Sequence, residues 1–187
     1  MDKATPMVGE MERWLTPERL ATSQLMRLLH DGFLEGAWDG DAMADLALAA
    51  LRGFGNGCCF YLASAVSGVT GLPIAVFWRM GIADLPIVHA AVVDPASGDA
   101  FDILGRRPLG ELRAELVDVV GRIRMAVEPP LAIGDEMDAE EADVLLDIAA
   151  GMPWMPPVGR AAPPKPDWAR LVVGYAAARD RMAAARK

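Results

Sequence analysis

The sequence predicts an α+β fold: N-terminal helices and a cysteine-bearing helix packed on a small antiparallel sheet, with C-terminal helices after it. Three observations carry that prediction. Apolar residues recur at helical spacing before and after the middle of the chain, in Leu20, Leu25, Leu28 and Leu29 and again in Trp168, Leu171, Val172 and Tyr175. Between them lie short runs rich in Val, Ile, Phe and Trp, separated by turns. Two of these runs flank Asp94-Pro95-Ala96-Ser97-Gly98-Asp99, which has the composition of a hairpin turn.

Met1 to Leu15 carries few local signals and is expected to wrap or fray. Thr16-Pro17-Glu18 reads as a helix N-cap, a proline at the first helical position and an acid in the first turn. The apolar stripe then extends the helix to about His30. Asp39-Gly40-Asp41 caps a second helix over 42–52. The cysteine helix is predicted over 57–69, with Gly71 in the usual glycine role after its C-terminus. Strands are expected over 74–80, 87–93, 100–104 and 117–127. A short helix over 109–116 has Glu111 and Glu115 on its polar side. A helix over 138–150 and a Pro-rich linker over 151–166 follow, and Asp167 caps a last helix to about Ala185. The chain therefore divides into an α+β domain over 1–150 and a linker with a docked C-terminal helix over 151–187.

A chain of 187 residues, 53% hydrophobic and 24% charged, can bury a sizeable core and is not dominated by disorder. A formal net charge of -8 argues against a nucleic-acid binder, which needs a basic surface. No apolar run reaches the roughly 18 residues of a spanning helix, so no membrane role is expected. Met1 to Glu12 holds no apolar stretch of the signal-peptide kind, and the two cysteines are adjacent, a poor geometry for a structural disulfide. A reducing, cytoplasmic location is the expectation.

The chemistry concentrates in Gly55-Asn56-Gly57-Cys58-Cys59 and the apolar stretch after it. A cysteine in the first turn of a helix sits among unpaired backbone N–H groups at the positive end of the helix dipole, which favours the nucleophilic thiolate. Cys59 has Leu62 and Val66 at i+3 and i+7, on the face expected to meet the sheet, whereas Cys58 is rotated from it by about 100°. Cys59 is therefore the preferred nucleophile. His89 lies in the second strand and Asp102 in the third. If the hairpin loop is even, with Asp94 opposite Asp99, then His89 and Asp102 share a face and sit diagonally; an odd loop would part them.

The roles follow from the chemistry. Cys59 attacks an acyl carbon, His89 takes its proton or holds it beside the thiolate, and Asp102 fixes the tautomer and stabilises the imidazolium. Backbone N–H groups at the helix start, with Asn56 and Cys58 as candidate cap and oxyanion-hole contributors, would bind the developing oxyanion. Blander assignments compete: Cys59 as small core filler, His89 as a satisfied core residue, Arg106 and Arg107 as a solvated pair. A zinc site made of Cys58, Cys59, His89 and Asp102 is disfavoured by the adjacent cysteines, so no metal and no cofactor is expected.

Gly57 to Ala63, then His89 to Val92, then Gly98 to Asp102, resembles the papain-like and transglutaminase-like thiol superfamily, in particular small bacterial and phage-borne members. The resemblance covers about residues 53–107. It implies a cysteine helix on an antiparallel sheet, a Cys-His-Asp triad at Cys59, His89 and Asp102, and action on an acyl or amide bond as a peptidase, deamidase or transglutaminase. Where papain-type proteases carry an oxyanion-hole glutamine before the cysteine, this chain offers only Asn56. The implied partner is a protein or peptide substrate. The alternative is a binding or assembly protein on the same fold without catalysis, to which the Pro-rich segment and the Ala/Arg-rich tail are suited.

Overall fold

The protein is described from a computed structural model over residues 14–23, 54–55, 59–81 and 87–130. Among the described residues the helices α1 (Pro17–Thr22), α2 (Cys59–Thr70) and α3 (Leu109–Val120) accompany five strands. The strands are β1 (Ile74–Arg79), β2 (Ile87–Asp94), β3 (Asp99–Asp102), β4 (Gly105–Pro108) and β5 (Ile123–Glu128). They form one antiparallel sheet in the order β4-β3-β2-β1-β5, so the fold is α+β. Strand β2 lies at the centre, and every residue from Val88 to Val93 is buried, so both of its faces are covered. That accounts for its unbroken apolar sequence.

Helix α1 begins as the sequence predicts: the Thr16 hydroxyl accepts from the Arg19 N–H at 3.2 Å, and Pro17 takes the first helical position. It ends earlier than predicted. Ser23 turns to extended backbone and its hydroxyl donates to the Leu20 carbonyl at 2.8 Å, which stops the helix after Thr22. The segment before α1 does not fray at its end. Trp14 and Leu15 are buried in the core. Leu15 and Leu20 occupy the two positions of a hydrophobic staple around the N-cap, which fixes how the chain enters the helix.

Helix α2 starts at Cys59 and buries Leu62, Ala63, Ala65 and Val66. Its exit is tightly bonded. Gly71 adopts φ 69° and its N–H donates to Ser67 O at 2.8 Å, while the Ser67 hydroxyl donates to Leu72 O at 2.6 Å. The Val93 N–H then donates to Pro73 O at 2.9 Å, which fixes the exit of α2 against the end of β2.

The β2–β3 hairpin has the even loop. Asp94 pairs with Asp99, Val93 with Ala100 and Val92 with Phe101. Asp94 caps its own turn, accepting from Ala96 N–H and the Ser97 hydroxyl at 2.9 Å each, and these bonds hold its carboxyl below the ordinary value. At the other end of β2 the pairing with β1 slips: Phe77 faces His89, but Trp78 faces Ile87. Val88 is thus the extra residue of a bulge immediately before His89.

Two parts of the sheet differ from the sequence expectation. The third strand ends at Asp102, not Leu104, because Ile103 and Leu104 form a tight turn into β4 over Gly105–Pro108, a strand the sequence reading left out. The run over 117–127 is not one strand. Val117 to Val120 complete α3, whose buried stripe Leu112, Leu116 and Val120 recurs every four residues. Packing of that stripe overrides the β preference of the valines. Gly121 at φ 80° breaks the helix, and β5 begins two residues later.

The helices predicted over 42–52, 138–150 and 167–185, the linker over 151–166, and Asn56 and Cys58 lie outside the described residues. No helix among the described residues is long and apolar enough to cross a membrane.

Candidate active site

The hairpin register, continued by one pair, sets Asp102 across from Ala91 and diagonal to His89. The His89 Nε2–H donates to Asp102 Oδ2 at 3.0 Å, with both side chains buried. Asp102 is fixed on its other side by the turn that ends β3: Oδ1 accepts from the Leu104 N–H at 2.9 Å and the Gly105 N–H at 3.2 Å. Gly105 sits at φ 140°, a backbone conformation that a side chain would disfavour, and it is what lets the turn close around the carboxylate. Asp94, the other acid near the end of the strand, is committed to its own turn.

Cys59 lies near enough to the imidazole to be one of the groups that raise its pKa. Among the described residues, His89 Nδ1 makes no hydrogen bond of standard geometry, so this nitrogen is the one left for the thiol. The structure therefore brings Cys59, His89 and Asp102 into one cluster. Cys59 also borders a narrow crevice with Phe54, Leu62 and Val66 on one side and Ala90, Phe101 and Asp102 on the other. Among the described residues no group of three His, Cys, Asp or Glu side chains is arranged to hold a metal ion.

Phe77 stacks on the imidazole at 6.4 Å and 28°, and three further side chains bear on the site in ways the sequence did not suggest. The Trp14 ring meets His89 edge-on, with centroids 4.7 Å apart and planes at 67°. Arg107 is not a solvated residue: its side chain is 15% exposed, and its guanidinium binds Asp102 Oδ2 through Nη2. Arg106, by contrast, pairs with Asp99 at the surface. Glu115 is not on a purely polar face. Its Oε2 accepts from Arg107 Nη1 at 3.4 Å, from Trp14 Nε1 at 3.4 Å and from Arg19 Nη1. Signals for two of them were present in the sequence. The staple pair Leu15 and Leu20 points to an ordered entry beside Trp14, and a turn at Ile103-Leu104 returns Arg107 to the face of Asp102.

Burial opposes a charge on His89, but the bonds and charges of Asp102 and Cys59 outweigh it, and its pKa is pushed up to about 9. Burial likewise opposes the Asp102 carboxylate, and the charge of Arg107 and the His89 bond outweigh it, holding its pKa well below the usual range. Stability should follow. A histidine raised in the folded state contributes fully below its unfolded value of 6.5, and that contribution is lost as pH rises through about 9. Asp102 contributes above its unfolded value of 3.8 and loses the contribution as pH falls below it. The melting temperature is expected to be higher at pH 6 than at pH 9.5, by an amount reflecting a few kcal/mol, and replacing His89 by glutamine should flatten that slope. An equally steep decline in the glutamine variant would place its origin elsewhere.

Comparison of the chain with protein-family models, curated proteins and solved structures finds no match.

Proposed function

We propose that the protein is a thiol enzyme acting on an acyl or amide bond through Cys59, His89 and Asp102, as members of the papain-like and transglutaminase-like superfamily do. The observation that carries this reading is the position of His89: one ring nitrogen bonded to a buried carboxylate, the other without a hydrogen bond among the described residues, and Cys59 close enough to act on the charge of the ring. In the first step the Cys59 sulfur bonds to the acyl carbon as a thiolate, its proton being the one that His89, its pKa raised to about 9, already holds as the imidazolium partner. The imidazolium, held by Asp102, then delivers that proton to the leaving amine or alcohol as the acyl bond breaks. The thioester so formed is resolved by water or by a second nucleophile, which returns the free thiol. Backbone N–H groups at the start of a helix are suited to the oxyanion formed on the way, and Cys59 stands in the first turn of α2.

A second reading, a binding or assembly protein without catalysis on the same fold, draws on burial: Cys59 is 5% exposed and His89 0%. Alkylation separates the two. An activated Cys59 is expected to react with iodoacetamide near pH 7 faster than free cysteine, as followed by mass spectrometry of its peptide, and His89→Gln should slow the reaction. Labelling no faster than free cysteine, and unchanged in His89→Gln, would favour the binding protein.

A further inference from the structure

The part-buried guanidinium of Arg107 is the feature of the site that the proposed chemistry does not use. It binds Asp102 Oδ2, the oxygen that also receives the His89 Nε2–H. It reaches Glu115 of α3 with its other terminal nitrogen at 3.4 Å. Its carbon lies 5.6 Å from the centre of the Trp14 ring, which itself rests edge-on against His89. The imidazole is thus held by the Asp102 carboxylate and by the Trp14 ring at an edge contact, with Phe77 stacked on it at 6.4 Å and 28°, and one side chain touches both Asp102 and Trp14. A flat guanidinium can bridge two carboxylates and stack on an aromatic ring at the same time, which an ammonium cannot.

We infer that Arg107 is the positioning residue for His89, holding Asp102 and Trp14 together so that the imidazole presents Nδ1 to Cys59. It acts through other residues and touches no reacting atom. The groups that bear on His89 are Cys59 from α2, Asp102 from β3, Arg107 from β4 behind Asp102, and, through Trp14, Glu115 from α3 and Arg19 from α1. A cation whose only effect were its charge would weaken the pull of Asp102 on the imidazole, and removing it would raise the His89 midpoint. A cation that holds Asp102 in place does the opposite: without it the carboxylate drifts, and the burial of the ring then dominates. The two roles therefore differ in sign.

The kinetic part of this inference rests on the proposed thiol chemistry; the positioning part does not, and the experiment reads them separately. Titrating the imidazole of the full-length protein by nitrogen NMR isolates His89, because the chain has 2 histidines and a His30→Gln comparison assigns them. In Arg107→Met the His89 midpoint is expected to fall by ~1 pH unit or more, and iodoacetamide labelling of Cys59 to slow with it. Arg107→Lys keeps the cation without the fork, and the same fall is expected at smaller size; it decides the question if the methionine variant does not fold. A midpoint that stays put or rises in a folded variant would overturn the positioning role. A midpoint that falls while Cys59 in the parent protein labels no faster than free cysteine would uphold that role and reject the thiol enzyme.

Discussion

Cys59→Ala is expected to abolish acyl transfer while leaving the fold in place. The probe is p-nitrophenyl acetate, whose activated ester needs no knowledge of the natural substrate. The wild-type protein should release p-nitrophenolate in a burst as the Cys59 sulfur takes the acetyl group, and the alanine variant should fall to the buffer rate. Cys58→Ala should retain the burst, since it is Cys59 and not Cys58 that has Leu62 and Val66 at i+3 and i+7. If Cys58→Ala were silent and Cys59→Ala active, the nucleophile would have to be reassigned. The stability side of the prediction is equally specific. Removing one buried sulfur costs about 1 kcal/mol in a well-packed site. A loss of several kcal/mol would mean that Cys59 serves mainly as core filler, its neighbours Leu62, Val66 and Phe101 depending on its volume.

The same substitution has a readout that does not depend on turnover. Cys59 is one of the two partners that lift the His89 pKa to about 9. Taking it away leaves Asp102 alone to oppose the burial of the ring, so the His89 midpoint should move down. An unmoved midpoint would mean that thiol and imidazole do not communicate, and the triad would be reduced to an Asp–His pair.

The parts of this site that the sequence revealed are those governed by local rules. The hairpin was legible because Asp94-Pro95-Ala96-Ser97-Gly98-Asp99 contains its own capping groups, but the parity of its loop was not, and it is the observed pairing of Asp94 with Asp99 that carries His89 and Asp102 to one face. The helix start at Thr16 and Pro17 was legible for the same reason. What escaped depended on contacts between residues far apart. The Trp14 indole N–H bonds to Glu115, 101 residues away, and nothing near Met1 to Leu15 announces that pairing. Arg107 looked solvated because its neighbour Arg106 is, yet consecutive strand residues face opposite sides and meet opposite surroundings. Val117 to Val120 read as strand from composition, and only the burial of Leu112, Leu116 and Val120 along one stripe makes them helix.

Asp102→Asn is expected to be the most destabilising substitution in the cluster that keeps its shape. The amide replaces a carboxylate that receives His89, Arg107 and the Leu104 and Gly105 N–H groups. With the negative charge gone, a part-buried guanidinium retains Glu115 but loses its nearer counter-ion, and the buried His89 loses the bond that sustains its positive charge. Breaking a buried ion pair on one side costs about 3–5 kcal/mol, because the partner charge stays buried. Chemical denaturation at pH 6, where His89 is charged in the parent protein, should show that loss. At pH 9.5 the difference between the variant and the parent should shrink, since the parent has by then lost the contribution of His89. Between these limits the parent should weaken with rising pH while the variant stays nearly level. Ester turnover should fall by roughly 10²–10⁴-fold, the range for a general base deprived of its support. A variant within 1 kcal/mol of the parent at pH 6, still sloping between pH 6.5 and 9, would show that another group holds His89 and that Asp102 is only the cap of its own turn.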